Sequence, residues 1–267
     1  MFFFPYQDDN PTRSFPWVNW ILIVGNLWVF FAWQLPLEPD EKQVFFSSFG
    51  FIPSMFFGQL SNFSLETIAW EWTTVLTSMF SHGGIFHLLG NMLFLYLYGD
   101  NVEEAMGKLW YFLFYLSCGL LAALAQALSS PDSTIPMVGA SGAISGVIAS
   151  YLLLYPRARV RVFYWIIILV GTFQVPAFLV LGWWFVQQIL AFPESMKAAS
   201  GVAVAAHLGG FAAGIVLTPL IKKKGVKLFQ SGYAEKTFQS LLSFDLFKEL
   251  FPETDAQIKN ESNLKYF

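Results

Sequence analysis

The chain has 267 residues and a formal net charge of -3, with 55% hydrophobic, 19% aromatic and only 12% charged residues. An ordinary soluble domain carries about 25% charged residues, so this chain has too few to cover its apolar groups, and much of it must face lipid. A disordered chain is excluded by the same excess, and a negative charge without a continuous basic stripe excludes nucleic acid as the main partner.

The gaps between Asp, Glu, Lys and Arg reach the roughly 20 apolar residues needed to cross a bilayer core six times. They run over residues 14–37, 72–99, 109–131, 133–156, 162–193 and 198–221. The pattern predicts an all-α polytopic membrane protein of six transmembrane helices, occupying residues 18–221. Ahead of it, residues 1–17 form a cytoplasmic N-terminus. Asp8 and Asp9 precede the first apolar run and no small-residue cleavage site follows it, so the first span is expected to stay and not to be a cleaved signal peptide. A seventh charge-free stretch, 43–65, holds Gly50, Pro53, Gly58, Gln59 and Asn62. Those residues break or hydrate a helix, so it reads as part of an outer interfacial loop over about 38–71 and not as a span. After Ile221, residues 222–267 form a polar cytoplasmic tail. Its apolar stripe of Phe238, Leu241, Leu242, Phe244, Leu246, Phe247 and Leu250 suggests one short amphipathic helix on the membrane surface.

Basic residues orient this arrangement. With six spans, one side carries Arg13, Lys108, Arg157, Arg159, Arg161, Lys222, Lys223 and Lys224, and the other only Lys42 and Lys197. Eight against two puts both termini in the cytoplasm, whereas a span over 43–65 would separate Arg13 from every other basic cluster. The single Cys118 forbids an internal disulfide and a Cys-based zinc cage.

A polar side chain at membrane depth is expensive and marks function by default. All three histidines, His82, His87 and His207, fall in or beside a span. Asn91 follows His87 by four residues and shares its helix face. Ser141 opens the fourth span within Gly139-Ala140-Ser141-Gly142, and His207 lies near the outer end of the sixth. The alternating topology puts His87, Asn91, Ser141 and His207 in one half of the membrane. Gly142 and Gly146, and likewise Gly210 and Gly214, are four apart, the small-residue spacing that lets two helix backbones meet. A hydroxyl on one such helix and an imidazole on the other form a nucleophile and general base for acyl transfer.

The run His82-Gly-Gly-Ile-Phe-His87-Leu-Leu-Gly-Asn91, then Gly99, Glu103 and Gly107, then Gly139-Ala-Ser141-Gly142, then Ala206-His207-Leu-Gly-Gly210 with Gly214, resembles the rhomboid intramembrane serine proteases. The likeness covers about residues 17–221, in order and on matching spans. It implies Ser141 as nucleophile and His207 as base of a two-residue dyad, with His87, Asn91 and the backbone N–H of Ser141 as the oxyanion hole. Gly139, Gly142, Gly210 and Gly214 are the structural residues near that site. Family members often stack an aromatic residue on the histidine from one turn after the serine; here that position is Ser145. Their outer loop often carries Trp-Arg, and here the pair is Trp72-Thr73.

The chemistry stands beside the likeness. Peptide hydrolysis needs a nucleophile, a base and donors for the developing oxyanion, and these four side chains supply each. No Asp or Glu lies inside a span, so hydrogen bonds and packing must orient His207 in place of a triad carboxylate. A transporter would show charges near the midplane or two similar halves, and neither occurs. A zinc protease would show His-Glu-x-x-His, and an aspartyl protease an intramembrane Asp pair. An inactive relative that only binds membrane helices need not keep both Ser141 and His207.

The expectation is therefore an endopeptidase cutting single-span membrane proteins near the outer face, without cofactor or metal. Its partners are transmembrane helices of substrate proteins, with small or helix-breaking residues near the cut, and membrane lipid. Pro176, Gly182, Trp183 and Trp184 point to the fifth span as lateral gate. Asp8-Asp9-Asn10-Pro11 and the lack of an extra domain suggest a compact bacterial member in the plasma membrane. Nothing in the sequence sets the oligomeric state or the natural substrate.

Overall fold

In a computed structural model of the chain, residues 2–62, 65–197 and 203–230 are described. The chain starts with strand β1 (Phe2–Asp8) and helix α1 (Trp17–Val29), which continues through a π-helical turn, Phe30–Gln34. Helices α2 (Pro39–Phe49), α3 (Pro53–Asn62) and α4 (Leu65–Ser78) precede α5 (Ile85–Met106), α6 (Lys108–Ser129) and α7 (Ser141–Leu154). Strands β2 (Arg159–Ile166) and β3 (Leu169–Pro176) follow, then α8 (Ala177–Lys197) and α9 (Val204–Ile221). Among the described residues, Trp17–Gln34, Lys108–Ser129, Ala177–Ser195 and Val204–Ile221 are long and apolar enough to cross a membrane. The protein is a mostly helical membrane protein.

Helix α7 is the centre of the molecule, with every residue from Gly142 to Tyr151 buried. Its neighbours reach it because their contact faces are nearly bare backbone. A Cβ on Gly210 would lie 1.9 Å from the Gly142 carbonyl oxygen, and one on Gly214 2.3 Å from that of Gly146. On the other side the Cys118 sulfur sits 2.4 Å from where a Gly146 Cβ would be. Without a hydrophobic force between helices in lipid, such close approach is what van der Waals attraction and short interhelical contacts require.

The Gly99, Glu103 and Gly107 set ties α1 to this core. The Glu103 carboxylate accepts the backbone N–H groups of Asn19 at 2.8 Å and Val18 at 3.3 Å. It thereby satisfies orphan donors at the positive end of α1. A Cβ on Gly99 would fall 2.0 Å from the Asn19 side chain, which itself donates to the Leu95 carbonyl at 3.0 Å and accepts from Tyr111 Oη at 2.8 Å. Gly107, at φ +89°, alone links α5 to α6, a left-handed turn that a Cβ would strain.

Several expectations are corrected. The chain is not all-α: β1, β2 and β3 form an antiparallel three-stranded sheet in that order. The predicted fifth span, 162–193, is instead the second half of that sheet followed by α8. Residues 162–166 are β-branched or aromatic, and from Arg159 to Val162 exposed and buried positions alternate, the period of a half-buried strand. The predicted second span, 72–99, divides at the turn 79–84 into the end of α4 and most of α5. The stretch 43–65 is largely helical and not an irregular loop, with Gly50 separating α2 from α3. Helix α7 begins only at Ser141, not at 133. The amphipathic helix expected beyond residue 230 lies outside the described residues.

Candidate active site

Ser141 is the first residue of α7, and the first intrahelical bond there runs from Ile144 N–H to the Ala140 carbonyl. The N–H groups of Ser141, Gly142 and Ala143 therefore stand at the positive end of the helix, ahead of its hydrogen-bond ladder. At 14 residues, α7 is about 21 Å long, shorter than a hydrocarbon core of about 30 Å. Helix α9 delivers His207 from one side. Its Nε2 is 2.8 Å from Ser141 Oγ. The Gln126 amide oxygen receives the Ala206 N–H at 3.3 Å and so anchors the first turn of α9 to α6.

Helix α5 supplies the opposite wall. A cavity of about 510 Å³ is lined by His87, Asn91, Gly139, Ser141, Trp184 and His207, among others. Asn91 is only 7% exposed and its Nδ2 has no hydrogen-bond partner. A buried, unsatisfied amide donor costs stability unless something else benefits from it. His87 Nδ1 accepts the Gly83 N–H at 3.4 Å, which leaves its Nε2 as the protonated nitrogen. Gly139, at φ +124°, passes so close that a Cβ there would lie 2.8 Å from His87 Nε2 and 3.6 Å from Asn91 Nδ2. The loop leading into Ser141 thus runs directly past both donors, and only glycine fits.

Two positions were not singled out for this role from sequence. The amide oxygen of Gln188, on α8, is 2.8 Å from His207 Nδ1. The Trp184 ring, one turn earlier on the same helix, lies 5.9 Å from the His207 ring at an interplanar angle of 43°. Support that the family often draws from the serine helix comes here from the other side of the imidazole. Ser145, at the family's aromatic position, is fully buried and donates to the Ser141 carbonyl at 2.6 Å. Trp184 had been read as part of a gate. The polarity rule that flagged the histidines applies equally to Gln188 in its charge-free stretch, and the i, i+4 spacing of Trp184 and Gln188 was the available signal.

His82 is also buried, but outside this constellation. Its backbone N–H donates to Gln34 Oε1 at 3.0 Å and its carbonyl accepts from Gln34 Nε2 at 3.4 Å, pinning the turn before α5 to the π-helical end of α1. Its ring stands edge-on to that of His87, with centroids 5.2 Å apart. Among the described residues no group of three His, Cys, Asp or Glu could hold a metal ion.

A bundle of apolar helices with a serine and an imidazole in contact at a cavity wall defines the class. The sequence matches the Rhomboid domain over residues 69–224, more than half of the chain. The chain belongs to the rhomboid family. It is similar to RHOMBOID-like protein 12, mitochondrial, of Arabidopsis thaliana, at 27% identity over 247 residues covering 82% of this chain and 66% of that one. Rhomboid-like protein 11, chloroplastic, of the same plant is 31% identical over 162 residues, covering 57% of this chain and 53% of that one. The Putative rhomboid protease YdcA of Bacillus subtilis (strain 168) is 28% identical over 141 residues, covering 52% and 63%. The chain spans between about half and two thirds of the length of these relatives. A second, shorter match, to a probable RNA and SrmB-binding site of polymerase A, falls on residues 226–258, almost wholly outside the described residues.

Proposed function

We propose that the chain is an intramembrane serine endopeptidase that cleaves single-span membrane proteins in or near their transmembrane helix through a Ser141–His207 dyad. The observation that carries this reading is the 2.8 Å contact between Ser141 Oγ and His207 Nε2 at the wall of a cavity. Family membership supports it, since relatives include a protein named as a rhomboid protease.

In this mechanism His207 Nε2 takes the Ser141 proton as Oγ attacks the scissile carbonyl. The carbonyl oxygen becomes an oxyanion beside the Asn91 amide, the His87 Nε2–H and the Ser141 N–H, donors that are fixed before reaction and need no reorganisation. His207 then protonates the leaving amine, and a water entering the cavity hydrolyses the acyl-enzyme by the same steps in reverse. The substrate is a helix that unwinds locally to expose its carbonyl, hence small or helix-breaking residues near the cut. Six spans with both termini in the cytoplasm of a bacterial cell belong to the same proposal, supported by the eight-to-two distribution of basic residues.

The test is cleavage of a single-span reporter in proteoliposomes. Ser141→Ala, His207→Ala and the double variant are each expected to abolish turnover to the same level, because a dyad acts as one unit. A serine-directed fluorophosphonate labels Ser141 only when His207 is present, and a chelator changes nothing. His87→Ala and Asn91→Ala each slow kcat by about 10² to 10³. Cleavage that survives Ser141→Ala overturns the reading.

A further inference from the structure

We infer that Gln188 is a positioning residue that fixes the tautomer and orientation of His207, so that the site works as a Ser–His–Gln relay with a neutral amide where soluble serine proteases use a carboxylate. The inference rests on the proposed dyad and adds a third member to it.

The argument starts from what each atom can do. A neutral imidazole carries its proton on one nitrogen, and the other is an acceptor. To receive the Ser141 proton, His207 Nε2 must be bare, so the proton must sit on Nδ1. The Gln188 Oε1 at 2.8 Å from Nδ1 is an acceptor only and therefore selects that tautomer. Everything depends on which end of the amide faces the ring. Were it reversed, an N–H would point at Nδ1, the proton would move to Nε2, and the base would be blocked. Gln188 cannot reverse without loss, because its Nε2 donates to the Trp184 carbonyl at 3.4 Å on the same helix. A carbonyl cannot accept from Oε1. One turn of α8 thus sets the amide's orientation, the amide sets the imidazole's tautomer, and the tautomer sets the direction of the Ser141 hydrogen bond. The Trp184 ring against the imidazole at 5.9 Å limits the remaining rotation of His207.

An amide suits this location better than a carboxylate. It accepts the same hydrogen bond without a buried charge, which in a membrane is costly unless paired.

The experiment compares Gln188→Leu, similar in size without the acceptor, with Gln188→Glu, which restores an acceptor oxygen, in proteoliposomes. Gln188→Leu is expected to lower kcat about tenfold to a hundredfold with KM and the thermal midpoint unchanged, and to slow fluorophosphonate labelling of Ser141 in proportion. Gln188→Glu is expected to recover most of that loss. A second measurement does not need catalysis: ¹⁵N NMR of the imidazoles in the Ser141→Ala protein should show His207 protonated on Nδ1, and a mixture of tautomers once Gln188→Leu is added. Wild-type kcat in Gln188→Leu, equal loss in the Leu and Glu variants, or an unchanged tautomer overturns the role of Gln188 while leaving the dyad standing. Cleavage surviving Ser141→Ala overturns the dyad itself, whatever the NMR shows.

Discussion

Helices α6, α7 and α9 are held by closeness, whereas the β2–β3 hairpin and α8, which lie between α7 and α9 in sequence, touch the core through a few residues such as Val160, Val162, Ala177 and Leu181 and are otherwise open. In the most apolar 18-residue stretch of α9, 44% of residues are buried; in that of α8 the figure is 11%. The first group spends its glycines on backbone contact. The second group carries Gly182, where an added Cβ would meet no atom of another element within 4 Å, and a hairpin tip where Ile167 and Ile168 are 85% and 88% exposed. The proposed site draws on both: Ser141 and His207 come from the tight group, and Gln188 and Trp184 from the loose one. Ser141 and His207 sit on helices that cannot separate without a large loss of packing, and Gln188 sits on a helix whose apolar surface is mostly exposed.

The largest expected effect tests the tight side. Gly210→Ala adds a Cβ 1.9 Å from the Gly142 carbonyl oxygen, a distance no packed pair tolerates, so α7 and α9 must move apart. Loss of all cleavage and a lower thermal midpoint in detergent are expected. Gly182→Ala on α8 is the matched control. It meets no atom and removes a flexible residue from a helix interior, so the midpoint should hold or rise, by up to about 1 kcal/mol of stability. Similar damage from both substitutions would show that α8 is packed as tightly as α9 and would break the contrast.

The same contrast explains what could be read from the sequence. Small residues at fours on two apolar stretches have one good use in lipid, and the pairs Gly142/Gly146 and Gly210/Gly214 do meet. The convergence of His87, Asn91, Ser141 and His207 on one cavity followed from their depth and topology. The fifth stretch was misread because a charge-free gap reports apolar length and not conformation: Val162 to Ile166 is as apolar as a helix but pairs as a strand. Arg159, Val160, Arg161 and Val162 showed alternation, yet four residues are few against a 32-residue gap. Gln188 was passed over because Gln187 and Gln188 are adjacent, so they face different sides of a helix, and neither has a polar partner at helical spacing. The partner of Gln188 is His207, nineteen residues away, and only the fold brings them together.

Asp8 joins the two regions and offers the smaller, pH-dependent test. It ends β1, at the edge of the sheet, and its carboxylate accepts the Tyr151 hydroxyl of α7 at 2.5 Å and the Asn101 amide of α5 at 3.4 Å. Burial raises its pKa from 3.8 to about 7; the Tyr151 hydrogen bond opposes that rise, and the nearby charges of Asp100 and Asp9 add to it. The folded chain therefore keeps a proton that the unfolded chain releases near 3.8. By linkage the resulting stabilisation is complete below that value and is lost as the pH rises toward about 7. Thermal unfolding followed across this window should show the wild-type midpoint falling with pH, and Asp8→Asn, which cannot ionise, should flatten the slope. The Asn side chain can still accept from Tyr151, so the sheet should stay docked on α7 and cleavage of the reporter should persist. An unchanged slope in Asp8→Asn would mean that this carboxyl titrates alike in both states, and the junction between the rigid bundle and the sheet would then be held without a buried proton.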